Sequence, residues 1–112
     1  MLSLDNAGTA AAVAPQFAAM GDVTRLRLLA RLSDGQPCSI SQLAAGLELT
    51  RQGVTKHLQV MAEAGILTSN RAGRENRFAI DPQAMHSMQT YLATVSKQWD
   101  VVLARLQDFV ER

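Results

Sequence analysis

The chain has 112 residues, 47% of them hydrophobic and 19% charged, the proportions of one folded domain that buries a modest core without metal or disulfide. Three Phe, one Tyr and one Trp are too few for a surface that stacks unpaired bases, and the single Cys38 excludes an intramolecular disulfide and suits a reducing cytoplasm. Net charge is +1 but unevenly spread: residues 50–77 carry five Lys/Arg against two Asp/Glu, while the segments on either side each carry three against four.

Residues 1–20, "MLSLDNAGTAAAVAPQFAAM", have no basic n-region, and no apolar run in the chain is long enough to span a membrane. The expected setting is cytoplasmic, with no membrane partner. Residues 1–8 are expected to form a disordered tail and residues 9–112 a single domain. In "AAAVAPQFAAM" (10–20), Val13, Phe17 and Met20 fall on one helical face, although Pro15 leaves the start of that helix open. Asp22 is placed to cap a second helix, "VTRLRLLARL", whose apolar stripe reads Leu26, Leu29, Ala30 and Leu32. "SDGQP" is a loop.

Ser39 and Gln42 then form an S-x-x-Q capping box for a short third helix with Ile40, Leu43 and Ala44 inward, closed by Gly46. Thr50 caps the next helix, "RQGVTKHLQVMAEA", whose inward face is Val54, Leu58 and Met61 and whose C′ residue is Gly65. A short helix, a tight turn and a longer helix over 39–65 make a helix-turn-helix pattern. Residues 66–80 follow as two short segments flanking "RAGR", with Gly73 supplying positive φ at a hairpin tip, so they read as a wing. Asp81-Pro82 is an N-cap followed by Pro at N1. It opens a long helix over 82–111, with Met85, Met88, Leu92, Val95, Trp99, Val102, Leu106 and Phe109 at alternating steps of three and four. Such a heptad seam is longer than a small domain needs for its own core. The fold class is therefore mostly α with a small β-hairpin wing: a winged helix-turn-helix with a helical dimer interface.

The functional residues follow from that placement. With Val54, Leu58 and Met61 inward, Gln52, Thr55, Lys56 and Gln59 point outward and Arg51 sits at the edge. Gln pairs with adenine, and Arg or Lys with guanine, in a major groove. Thr50 and the helix N-terminus suit a phosphate. In the wing, Arg71, Arg74 and Arg77 suit phosphate or the minor groove. A solvated helix face is the competing reading for any one of the helix residues, and pairing of Arg74 or Arg77 with Glu75 for the wing. His57, beside the buried stripe, reads as a packed, hydrogen-bonded histidine rather than a ligand. Met85 and Met88 read as fillers of core or interface. The two histidines lie on different helices, and neither a phosphate loop nor a catalytic cluster is visible, so no enzyme is expected.

The stretches "GDVTRLRLL", "TRQGVTKHLQVMAEAGIL" and "GRE" give the chain, from about Phe17 onward, a resemblance to the ArsR-type winged helix-turn-helix regulators. The resemblance implies a homodimeric regulator of transcription that binds double-stranded DNA, most often as a repressor. It implies a dimer interface of first and last helices, here Phe17 and Met20 with Met88, Leu92, Val95, Trp99, Val102, Leu106 and Phe109. Metal-sensing members carry Cys-x-Cys where this chain has Ser39, Ile40 and Ser41, with Cys38 one place earlier. Others bind zinc through an Asp/His/His/Glu set on the last helix, where this chain has only His86. No metal or other cofactor is therefore expected, and no inducer or operator is readable. The rival from another class is a winged helix for protein–protein contact alone. The concentration of positive charge on helix and wing argues against it.

Overall fold

The computed structural model describes residues 7–111. The elements in order are α1 (Ala7–Met20), α2 (Val23–Arg31), β1 (Cys38–Ser39), α3 (Ile40–Ala44), α4 (Arg51–Glu63), β2 (Leu67–Ala72), β3 (Glu75–Ile80) and α5 (Pro82–Glu111). The protein is mostly helical with a small antiparallel sheet, a winged helix-turn-helix. Among the described residues no helix is long and apolar enough to cross a membrane.

Helix α1 starts at Ala7 and runs through Pro15. Residues 1–6 of the expected tail lie outside the described residues. Pro15 removes a hydrogen bond to the carbonyl four residues back. Ala11 and Pro15 are both exposed, which puts the freed carbonyl on the solvent-facing side of the helix, and the surrounding alanines supply helix propensity. Val13 and Ala19 are the residues α1 buries most completely, while Phe17 and Met20 are half-buried.

Helix α2 differs from the expected stripe. Asp22 caps it by accepting the Arg25 N–H at 3.1 Å. Its buried residues are Leu28, Leu29 and the following Leu32, whereas Leu26 and Ala30 are exposed. The inward face is Arg25, Leu28, Leu29 and Leu32, an i, i+3, i+4, i+7 set headed by a charged residue. Counting only apolar residues hid Arg25, whose stem lies inward while its guanidinium donates to the carbonyl of Ala19 at 3.0 Å. Arg31, at the end of the same helix, donates to the carbonyls of Leu43 at 3.0 Å and of Ala45. It thus serves carbonyls that the short α3 leaves without helical partners.

The expected caps form. Ser39 Oγ accepts the Gln42 N–H at 3.2 Å, and Gln42 Oε1 accepts the Ser39 N–H at 2.8 Å. Thr50 Oγ1 accepts the Gly53 N–H at 3.0 Å. Helix α4 ends in a Schellman motif: the Ile66 N–H donates to the Met61 carbonyl at 2.9 Å and the Gly65 N–H to that of Ala62 at 3.0 Å, with Gly65 at φ 84°. Between these ends Val54, Leu58 and Met61 are fully buried. They join Leu28, Leu32, Leu43, Ile66 and Phe78 in the core.

The wing holds a third strand that the sequence reading did not include. The sheet order is β1-β3-β2, with Cys38 opposite Phe78 and Ser39 opposite Arg77. A two-residue strand is too short to show a period. The β2–β3 hairpin is also longer than expected. Ala72 pairs with Glu75, so only Gly73 and Arg74 form the loop. Gly73 has φ 64° and Arg74 does not have positive φ, the pattern of a type II′ turn.

Asp81 opens α5, its Oδ1 accepting the Gln83 N–H at 3.0 Å. Only the first part of the expected seam packs within the subunit. Ala84 and Met88 are buried and Met85 is half-buried. Tyr91 meets Phe17 of α1 with ring centroids 6.2 Å apart. Val95 is half-buried, and Leu92, Trp99, Val102, Leu106 and Phe109 are exposed.

The end of α4 carries a testable cost. A Cβ added at Gly65 would meet nothing closer than Gln16 Nε2 at 3.8 Å, so the penalty of Gly65→Ala is conformational rather than steric. We expect a loss of about 1–2 kcal/mol, read from urea unfolding. An unchanged midpoint would show that the Schellman geometry is not needed.

Candidate nucleic-acid interface

The orientation of α4 is fixed from within. Its fully buried stripe leaves Arg51, Gln52, Lys56 and Gln59 exposed, with Thr50 exposed at the cap. Gly53 is part of that cap: a Cβ there would stand 3.4 Å from Thr50 Oγ1. Thr55 is half-buried, and its hydroxyl donates to the Arg51 carbonyl at 2.7 Å. Thr55 therefore has its methyl and oxygen lone pairs left for an outside partner, and its proton is already used. Gln52, Lys56 and Gln59 make no side-chain hydrogen bond or ion pair among the described residues.

The three wing arginines are all exposed but differ in their surroundings. Arg71 Nε donates to the Gly73 carbonyl at 3.4 Å, steadying the turn. Arg77 pairs with Glu75 at 3.8 Å, the pairing weighed for it from the sequence. Arg74, at the tip, has no ion pair among the described residues. Because β3 lies against β1, the tip stands next to the start of α3 and the first residue of α4. Ser39, Ser41, Arg51, Arg74, Glu75 and Asn76 are among the residues lining one cleft of about 140 Å³ there. Ser41 and Asn76 were not singled out from the sequence. Their nearness depends on the pairing of Cys38 with Phe78 and of Ser39 with Arg77, far apart in sequence, for which no local signal exists.

A polar network behind α4 ties it to α2. His57 Nδ1 accepts from Arg25 Nε at 3.2 Å and lies 3.8 Å from Asp22 Oδ2. His57 is thus the packed, hydrogen-bonded residue the sequence suggested. Its accepting Nδ1 places the proton of a neutral ring on Nε2. Asp22 is held below the usual carboxylate range, chiefly by the Arg25 N–H it accepts. Partial desolvation opposes this; His57 in its protonated form and the Arg25 charge reinforce it.

At the position of the family's thiolate pair, Ser39 is buried and committed to its capping box. Cys38 is half-buried, its thiol 3.7 Å from the Gln36 carbonyl. Among the described residues no group of three or more His, Cys, Asp or Glu is placed to hold a metal ion.

Residues 20–70 match a family model described as a helix-turn-helix domain. The HTH-type transcriptional regulator CmtR of Mycobacterium tuberculosis (strain ATCC 25618 / H37Rv) is 42% identical over 62 residues, 55% of this chain and 52% of that protein. The chain thus spans about half the length of that curated relative. Among solved structures, an ArsR-like transcriptional regulator from Rhodococcus sp. RHA1 superposes with TM-score 0.74 at 32% identity, over 91% of this chain and 95% of that one. The AntR antimony-specific transcriptional repressor superposes with TM-score 0.59 at 28% identity, over 81% and 83%.

The network behind α4 has a pH signature. A carboxyl whose folded pKa is depressed stabilises the fold fully above its unfolded value, and that stability is lost as pH falls through the folded pKa. Asp22→Ala should therefore be less stable than wild type at neutral pH. The gap should close in acid, below the ordinary carboxylate range. Thermal unfolding of both proteins across that range is the measurement; a gap that stays constant into strong acid would remove the charge of Asp22 from the account.

Proposed function

Because the chain belongs to the ArsR-type winged helix-turn-helix transcriptional regulators, we propose that it binds double-stranded DNA sequence-specifically as a homodimer and represses transcription. The observation that carries this reading is the outward face of α4. Gln52, Lys56 and Gln59 are exposed and have no protein partner among the described residues, on a helix whose opposite face is fully buried. A helix so held presents donors and acceptors at the spacing a major groove reads. Arg51, Arg71, Arg74 and Arg77 add cations for the flanking backbone, with Thr50 and the half-buried Thr55 beside them.

Dimerisation is supported by the distal half of α5. Trp99, Val102, Leu106 and Phe109 are 56%, 40%, 56% and 77% exposed. Leu103 and Val110 flank them on the same side, at 55% and 80%. At 100° per residue the six fall within an arc of about 120°, wider than a two-stranded seam needs and suited to a multi-helix core. A second copy related by a two-fold axis covers such a strip with itself. Phe17 and Met20 of α1, both half-buried, with Leu92 and the half-buried Val95 of α5, continue the surface toward the domain, whereas Met88, expected there, is buried in the subunit's own core. Two α4 helices so related meet an inverted repeat with half-sites about one helical turn apart. Repression follows from occupying a promoter, and the AntR likeness supports that sense of regulation.

Two variants test the reading. Lys56→Ala should weaken DNA binding by about 1–3 kcal/mol if Lys56 meets a base, with relaxed preference at one position of a site selected from random duplexes. Full affinity at low salt would remove Lys56 from the interface. Leu106→Glu should give a folded monomer with reduced operator affinity, because Leu106 is exposed within its own subunit while a carboxylate between two copies loses its water. Sedimentation decides: a folded, fully dimeric variant would exclude the distal helix from the interface.

A further inference from the structure

The cleft between the wing tip and the two helices of the motif has a composition of its own. Its volume is about 140 Å³, below the 300–1,000 Å³ range typical of pockets for small organic ligands. It has room for one compact group. Of the polar groups that line it, several are already committed. Ser39 spends its hydroxyl oxygen and its N–H on the Gln42 capping box. Glu75 is paired with Arg77 at 3.8 Å. The uncommitted groups are the side chains of Ser41, Arg51, Arg74 and Asn76, none of which makes a hydrogen bond or ion pair among the described residues. All four can donate, and two carry full positive charge.

A small cleft with two unpaired guanidinium groups, two neutral donors and its one carboxylate already engaged is built for a single oxyanion. We propose that it seats one phosphate group, held jointly by Arg51 of α4 and Arg74 of the wing, with Ser41 and Asn76 as neutral donors. On the DNA-binding reading above, on which the choice of source rests, the phosphate is one of the duplex backbone. The seat then does more than add affinity. It joins the recognition helix and the hairpin tip through one bound group, so that the wing docks only when the helix is in register. A free phosphate is the other source of the same chemistry, and would compete with DNA for the seat.

The test is a double-variant cycle on the full chain with one selected duplex. Wild type, Arg51→Ala, Arg74→Ala and the double variant are titrated over a range of salt. Both arginines are exposed, so the variants keep the core. If the two share one phosphate, each single variant loses roughly tenfold or more in affinity. The double variant then loses little beyond either one, and its slope of log K against log salt falls by about one. If they hold separate phosphates, the losses multiply and the slope falls by about two, which overturns the shared seat while leaving DNA binding intact. A second arm titrates inorganic phosphate into the DNA-free protein and follows the Ser41 and Asn76 amide resonances. Saturable shifts that vanish in the double variant support the seat and show that it accepts free phosphate. No shift, together with a shared-phosphate cycle, supports the seat with the duplex backbone as its source. Should wild type bind no duplex at any salt, the DNA reading fails and the phosphate titration alone decides: saturable shifts keep the seat, and their absence removes it.

Discussion

The burial of Val54, Leu58 and Met61 is the constraint on which the rest of the structure depends. Each has no measurable exposure, and together they meet the core residues of α2, α3 and the sheet. Turning α4 by one residue would swing these three outward and bring polar neighbours such as Thr55 and Gln59 inward. Each apolar side chain lost from the core costs roughly 1.5–3 kcal/mol, and each polar group buried without a partner about 1–3 kcal/mol more. Such a sum is comparable to a small domain's whole margin of stability. The rotation of α4 is therefore set by side chains that never meet solvent, and the outward face that carries the candidate contacts follows from it. Thr50 and Gly65 fix where the helix starts and stops, so its reach is defined as well as its rotation.

What the sequence made legible divides along the same line. Caps are local, spanning three residues, and Asp22, Ser39–Gln42 and Thr50 all act where their spacing placed them. The inward face of α4 was legible because it contains only apolar residues. That of α2 was not, because its first member is Arg25, a half-buried residue whose guanidinium donates to the Ala19 carbonyl and to His57. Leu26 was expected in the core and is instead 49% exposed. The length of α5 was legible from its heptads, but not the point where packing within the subunit gives way to an uncovered surface. That point depends on where α1 stops supporting α5, a tertiary fact carried by the meeting of Phe17 and Tyr91.

The candidate site shows the same division. Arg51 and Arg74 were both named from the sequence, one as a helix-edge residue and one as a hairpin tip. Nothing in their spacing says that they line one cleft. The pairing of β1 with β3 does that, by setting Ser39 opposite Arg77 and so bringing the start of α3 under the wing. The short β1 also occupies the edge of β3 that β2 leaves free. One two-residue pairing thus blunts a sheet edge and fixes the wing relative to the helix-turn-helix.

A net charge of +1 misstates what an anionic partner would meet. Salt screens exposed charges beyond about 8 Å at physiological ionic strength, so the field near α4 and the wing is set by the charges on those elements. Residues 50–77 hold three more cations than anions, and one of their two carboxylates, Glu75, is paired with Arg77. The C-terminal segment carries four acids against three bases, and three of those acids, Asp100, Asp108 and Glu111, lie on the distal half of α5 in the same stretch as its bases. Asp100 alone is roughly 27 Å along the helix from Pro82 at 1.5 Å per residue. The chain therefore presents a local cation surface while staying nearly neutral as a whole. Contact with duplex DNA would then depend on close, geometrically matched groups rather than on long-range attraction. One subunit offers few of these. In the proposed dimer, joining two through α5 would make the second half-site an intramolecular event, which raises affinity for a correctly spaced pair far more than for a single site. On this reading, the apolar strip of α5 and the cationic face of α4 are two parts of one specificity device. The first fixes the spacing between readers, and the second gives each reader enough grip to register it.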